Sequence, residues 1–124
     1  MALQRIFLDP ETARYTQKAS LGALGGGAWR GASIGPSLGL AEGFETARAW
    51  TLCNGLPCWA TLGSRRFGIA AIPDSVTELI LAADNDLAGR RAVLRAETCY
   101  AREGRLIRAD IPSGAKDWAA LLAA

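Results

Sequence analysis

An apolar run that ends in closely spaced carboxylates is the feature that most constrains how this chain folds. Residues 79–83, LILAA, lead directly into Asp84, Asn85 and Asp86, and Gly89 follows. A short apolar run bounded by polar residues is typical of a buried β-strand. Because residues i and i+2 of an extended segment point the same way, the two aspartates are predicted to face one place beyond the strand.

The same order of apolar strand and helix recurs along the chain. Apolar runs predict core strands at 38–41, 58–62, 77–83 and 106–111. Helices are predicted at 44–53, 65–71, 87–103 and 117–123, with Gly55 and Gly104 as stops. Alternating apolar strands and helices indicate a parallel sheet that is covered on both faces. We therefore expect an α/β fold with a mostly parallel, four-stranded sheet flanked by helices.

The first 36 residues differ from the rest. Strands predicted at 3–8 and 13–17 flank the turn signal Asp9-Pro10-Glu11, which indicates a small β-hairpin. A glycine-rich stretch then covers 22–35. No Gly-Lys-Ser/Thr follows it, which argues against a phosphate-binding loop and favours a twisted hairpin or a flexible approach segment. We divide the chain into a lead-in, 1–36, and one domain, 37–124.

Composition excludes several classes of site. The chain has no histidine, so Ser-His-Asp triads and histidine-containing zinc sites are excluded. Its three cysteines lack CxxC spacing, which argues against a zinc ribbon or a disulfide framework; Cys53 and Cys99 are predicted in helix cores and Cys58 in a strand. No apolar run is long enough for a membrane span or a signal peptide. We expect a soluble, cytoplasmic protein.

The distribution of charge is more informative than the net charge, which is only +2. Twelve of the fourteen basic residues are arginine, and eight of these lie between Arg65 and Arg108. Arginine suits phosphate recognition because its planar fork matches two oxygens. The alternative is a solvated helix face in an arginine-rich protein.

Four acidic residues follow the predicted strands: Glu42 after the first, Asp84 and Asp86 after the third, and Asp117 after the fourth. In an open parallel sheet, ligands bind beyond the carboxyl ends of the strands. Converging carboxylates repel one another unless a cation such as Mg²⁺ lies among them. Glu42 then serves as general acid or base. The alternative is that Asp86 and Asp117 cap helices, while Glu42 and Glu45 are charges of a helix first turn.

Two motifs resemble those of Toprim domains, the catalytic domain shared by bacterial primases, type IA and type II topoisomerases and some nucleases. They are LAEGFETARAW (40–50) and ILAADNDLAGRRA (80–92). Their wording is closest to phage- and plasmid-type primases or primase-helicases, where segments like EGxETA, ATLG, DNDxAG and a late GKD recur. Here these lie at 42–47, 60–63, 84–89 and 114–117. The lead-in resembles that of the same proteins.

The resemblance implies a Rossmann-like Toprim fold and a role for each residue. Glu42 is the implied acid/base residue; the implied ligands of Mg²⁺, with Mn²⁺ as an alternative, are Asp84, Asp86 and Asp117. Gly43, Glu45 and Gly89 are the implied supporting residues, and Lys116, Arg90 and Arg91 the implied phosphate contacts. One departure is that Lys116-Asp117-Trp118 is followed by Ala119-Ala120, where relatives often have an Asn-Asp pair.

These roles lead to three hypotheses. The first is nucleotidyl transfer by a DNA primase-like replication protein of a mobile element, with DNA, an RNA primer and nucleotides as partners. Such a protein carries further domains, such as a zinc ribbon or a helicase, and the isolated domain can be inactive. The second is a nuclease that uses the same acids, and the third is a non-catalytic metal- and nucleic-acid-binding domain.

Overall fold

The computed structural model describes residues 3–8, 15–21, 28–30, 34–62 and 67–123. Two N-terminal strands, β1 (Leu3–Leu8) and β2 (Tyr15–Leu21), pair antiparallel in a two-stranded sheet. The second strand of the hairpin, predicted at 13–17, is thus β2 and lies later in the sequence, at Tyr15–Leu21. Most of the glycine-rich stretch, 22–35, lies outside the described residues, and its interpretation stays a prediction.

A second sheet contains five strands in the order β3-β5-β4-β6-β7. The strands are β3 (Trp29–Arg30), β4 (Ser37–Ala41), β5 (Cys58–Ala60), β6 (Glu78–Ala82) and β7 (Leu106–Asp110). The last four are the predicted core strands, and they pair in parallel. The short edge strand β3, which was not predicted, pairs antiparallel with β5. The predicted α/β fold with a mostly parallel sheet is confirmed.

Helices cover both faces of this sheet: α1 (Phe44–Asn54), α2 (Leu87–Tyr100) and α3 (Trp118–Ala123). Alternate residues of a strand face opposite sides. On one side, Leu79 and Leu81 of β6 are buried in the same cluster as Ala92 and Ala96 of α2. On the other side, Ile80 and Ala82 are buried with Trp50 of α1 and Trp118 of α3. Burial on both faces explains why β6 is an unbroken apolar run.

The ends of the helices follow from local hydrogen bonds. Helix α1 ends at the predicted stop, Gly55, whose φ of 73° is left-handed. Helix α2 ends at Tyr100, earlier than the predicted 103. The backbone leaves the helix at Ala101, whose ψ is 128°, and Arg105 Nη1 donates to the Tyr100 carbonyl at 3.2 Å, which satisfies an acceptor left at the helix terminus.

Two local predictions were wrong. Residues 67–69 form a turn and not the predicted helix at 65–71, of which 65 and 66 lie outside the described residues. Strand β5 ends at Ala60 instead of Leu62. Leu62 adopts a φ of 66°, a left-handed conformation that interrupts an extended strand.

The cysteines divide by burial. Cys58 is buried in β5, as predicted, and this burial raises the pKa of its thiol well above the ordinary value, so the side chain packs as an uncharged apolar group. Cys53 and Cys99 lie on helices, but both are exposed, so their predicted place in helix cores was wrong.

None of the helices in the described ranges combines the length and the apolar character that a membrane crossing requires.

Candidate functional site

Two of the predicted acids lie at one cavity beyond the carboxyl edge of the parallel sheet. Strands β4 and β6 are neighbours, with Ala41 in register with Ala82. Glu42 directly follows β4, and Asp84 lies two residues beyond β6, so the sheet brings both to the same edge. The cavity is lined by Glu42, Phe67, Ala82, Ala83, Asp84, Gly89 and Ala92. Two residues separated by about forty positions in the sequence therefore share one site.

Gly89 fits this site because the Asp84 backbone lies directly against it. A Cβ atom on Gly89 would lie 2.2 Å from the Asp84 carbonyl oxygen and 3.1 Å from the Asp84 nitrogen. Real Cβ atoms essentially never lie within 3.0 Å of another heavy atom, so the 2.2 Å approach to the Asp84 carbonyl oxygen leaves no room for a side chain here. The glycine of the second motif thus lets helix α2 pack against the turn that carries Asp84.

The other two predicted metal ligands form helix caps. The Oδ1 atom of Asp86 accepts a hydrogen bond from the Gly89 backbone N–H at 2.6 Å, at the N-terminus of α2. The Oδ1 atom of Asp117 accepts one from the Ala120 backbone N–H at 2.7 Å, at the start of α3. Capping was the alternative considered for both residues, and it is what their geometry shows. Each carboxylate has a second oxygen, so metal binding by Asp86 or Asp117 stays a prediction.

The donor set determines which cation the site fits. Within the described residues, no three acidic or cysteine side chains are grouped closely enough to hold a metal ion. Mg²⁺ does not require such a cage, because it commonly keeps several waters and binds one or two carboxylates plus substrate phosphates. Asp84 supplies one oxygen donor of this kind at the cavity, and Glu42 is a second acid that lines the same cavity. The residues present therefore fit Mg²⁺ bound by two carboxylates at most, with water and phosphate completing the shell.

The supporting residues of the first motif lie at the start of α1. Gly43 is its N-cap residue, and the Gly43 carbonyl accepts the first helical bond, from the Ala47 N–H at 3.0 Å. Glu45 lies in the first turn and is half-buried. The Glu42 carbonyl accepts a hydrogen bond from the Leu62 N–H at 2.8 Å, so the left-handed turn after β5 holds the backbone of Glu42.

Asn85, the middle residue of the second motif, connects three predicted site segments. Its backbone N–H donates to the Lys116 carbonyl at 2.6 Å, and its Nδ2 donates to the Ala115 carbonyl at 3.3 Å. Its Oδ1 accepts a hydrogen bond from Arg90 Nη2 at 2.8 Å. Asn85 thereby holds the loop that carries exposed Lys116 beside the acidic turn. Arg91 is exposed on α2.

Asp110, at the end of β7, is a second connecting residue that the sequence reasoning missed. Its Oδ2 accepts a hydrogen bond from buried Trp50 Nε1 at 3.0 Å. Its carbonyl accepts bonds from Trp118 Nε1 at 3.3 Å and from the Ala83 N–H at 3.2 Å. Asp110 therefore joins α1, α3 and the residue before Asp84. The available signal was its position at the carboxyl end of a strand, the same criterion that identified Glu42 and Asp84.

Asp110→Ala is expected to destabilise the fold by about 1–3 kcal/mol, because it leaves the buried Trp50 N–H without its acceptor. Asp110→Asn retains an acceptor oxygen and should lose less. Urea unfolding followed by tryptophan fluorescence measures both. The control is Asp74→Ala, which removes an exposed ion pair with Arg102 and should cost less than about 1 kcal/mol. Equal midpoints for the Asp110→Ala and Asp74→Ala proteins would show that the Trp50 contact contributes nothing.

Comparison with known proteins places this geometry in a family. The comparison with curated proteins finds no significant match. Among solved structures, the chain resembles the crystal structure of a DNA primase domain from Pseudomonas aeruginosa, with a TM-score of 0.52 and 22% sequence identity. That match covers 70% of this chain and 29% of the primase chain, and at this identity it shows likeness of fold. The family model of the Toprim domain matches residues 37–124. The chain therefore belongs to the Toprim domain family, as its two motifs indicated.

Proposed function

We propose that this Toprim domain carries out Mg²⁺-dependent nucleotidyl transfer on nucleic acid, as part of a DNA primase-like replication protein. The observation that carries the proposal is the meeting of Glu42 and Asp84 at one cavity beyond the sheet. The likeness of fold to a DNA primase domain supports the choice of reaction.

In the proposed reaction, a 3′-hydroxyl oxygen attacks the α-phosphorus of a nucleoside triphosphate. A new P–O bond forms, the bond to pyrophosphate breaks, and the Glu42 carboxylate accepts the proton of the attacking hydroxyl. Asp84 and the second oxygen of Asp86 would hold Mg²⁺, with Asp117 as a further acid at this edge. The bound ion supplies positive charge that stabilises the phosphate oxygens.

The basic residues bind and orient the phosphates. Arg90 is directed toward the acidic turn by its bond to Asn85, and its guanidinium retains other donors for a phosphate. Lys116 is exposed on the loop that Asn85 holds at the same edge. Arg91 adds a third positive charge near the start of α2.

A non-catalytic metal- and nucleic-acid-binding domain is the second candidate. The observation that favours it is that Asp86 and Asp117 use carboxylate oxygens as helix caps, which leaves Glu42 and Asp84 as the acids at the cavity. Under this second proposal, the domain binds metal and nucleic acid, and the catalytic activity of the parent protein requires its further domains, such as a zinc ribbon or a helicase. The parent is then a cytoplasmic replication protein of a mobile element.

Incubating the chain with Mg²⁺, end-labelled single-stranded DNA and nucleotides distinguishes these functions. Nucleotidyl transfer predicts products longer than the labelled strand, and Glu42→Gln should reduce their rate by about 10²–10⁴-fold, the usual contribution of a general base. Shortened strands would indicate a nuclease and overturn the proposal. Binding without any change in strand length, in this chain and in its parent protein, would favour the non-catalytic domain.

A further inference from the structure

The exposed face of α2 carries arginines that no described acid neutralises. Arg91 and Arg95 are exposed and lie one helical turn apart, and neither forms a salt bridge within the described residues. Arg90, on the opposite flank of this face, donates to the neutral amide of Asn85. The only acid in the α2 sequence, Glu97, is half-buried. This face therefore presents three positive charges to solvent.

The arginines that follow α2 are used differently. Arg102 pairs with Asp74, and Arg108 pairs with Glu78 at 3.4 Å. Arg105 donates to the carbonyls of Val76, Pro73 and Tyr100. Since these three arginines have partners within the fold, a general richness in arginine does not account for the unpaired charges on α2.

Two leucines lie among the unpaired arginines. Leu87 is 62% exposed and Leu94 is 65% exposed. Residues three and four apart are neighbours on a helix, so Arg91 lies beside Leu87, Leu94 and Arg95. On such a surface the guanidinium groups can bind phosphates and the leucine side chains can contact the faces of bases, so it suits a ligand that exposes both. A single strand has both, whereas a duplex keeps its base faces stacked inside.

We propose that the exposed face of α2 binds single-stranded nucleic acid. Arg91 and Arg95 contact backbone phosphates, and Leu87 and Leu94 contact unstacked bases. The helix begins beside Asp84, so the strand runs along α2 from the cavity. This inference deepens the proposed function and rests on it, because it assigns the path of the strand on which the acidic site acts.

The test is the salt dependence of binding, measured with the whole chain and a fluorescent single-stranded oligonucleotide in EDTA. Each arginine that neutralises a phosphate of a single strand contributes about 0.7 to the slope of log affinity against log salt concentration. Arg91→Ala and Arg95→Ala should each reduce the slope by about 0.7, and the double variant by about 1.4. Leu94→Ser should weaken binding severalfold without changing the slope.

Arg48→Ala is the matched control. Arg48 is an exposed arginine of α1, on the opposite face of the sheet, so this variant removes the same charge and should leave the slope unchanged. The inference is overturned by equal slopes for Arg48→Ala and Arg91→Ala, by absent binding in the wild type, or by a duplex of equal length that binds as tightly.

EDTA separates this test from that of the proposed function. Binding measured without a divalent cation does not depend on the acidic site. If the salt dependence is as expected but no strand is extended, the proposal of nucleotidyl transfer is contradicted and the inference about α2 is not.

Discussion

Gly89→Ala is expected to destabilise the fold by about 3 kcal/mol, at the upper end of the usual cost of overpacking, because the new methyl group meets backbone atoms that have no rotamer to adopt. The sign of the effect is informative. Glycine-to-alanine substitution inside a helix normally stabilises a protein by roughly 0.5–1 kcal/mol. Thermal and urea unfolding measure the change.

Gly35→Ala is the control for this substitution. A Cβ atom on Gly35 meets nothing within 4 Å, so the variant should unfold within about 0.5 kcal/mol of the wild type, like other surface substitutions. A Gly89→Ala protein that is more stable than the wild type would show that α2 does not pack against the Asp84 backbone.

Asp84→Asn is expected to abolish the stabilisation of the fold by Mg²⁺. A ligand at one hundred times its Kd stabilises the native state by about 2.7 kcal/mol, because it binds the folded and not the unfolded chain. The wild-type melting temperature should therefore rise with millimolar Mg²⁺. The asparagine side chain of this variant has a similar shape but lacks the negative charge that attracts the cation, so the rise should disappear.

Asp74→Asn provides the matched control for the loss of one acidic charge. Asp74 precedes β6, whereas the acidic cavity lies beyond the other end of this strand. This variant should keep the wild-type response to Mg²⁺. If the melting temperature of the wild type does not change with Mg²⁺, or if the response survives in Asp84→Asn, the cation does not bind at this cavity.

The sequence was sufficient to predict the four parallel strands of the sheet and the meeting of Glu42 with Asp84. Four apolar runs separated by helices predict a parallel sheet, and the residues that follow such strands collect at one edge. Asp86 and Asp117 show the limit of that reasoning. An aspartate that follows a strand and precedes a helix fits the sequence pattern of a metal ligand and that of a helix cap equally well. The hydrogen bonds from the backbone N–H groups of Gly89 and Ala120 show that these two aspartates are helix caps.

Contacts between distant residues were beyond sequence reasoning. Trp50 and Asp110 are separated by sixty positions, and their hydrogen bond has no local signal. The left-handed turn at Leu62 also has none, because leucine rarely adopts positive φ.

Diffraction from a crystal soaked in Mn²⁺ tests most directly whether Glu42 and Asp84 flank one divalent cation. The prediction is an anomalous peak in the cavity between them, with an Asp84 oxygen at roughly 2.1 Å, the distance typical of octahedral Mg²⁺ sites. Glu42 should contact the ion directly or through one water. An ion bound elsewhere, or one bound by Asp84 with Glu42 beyond the reach of a single water, would contradict the account.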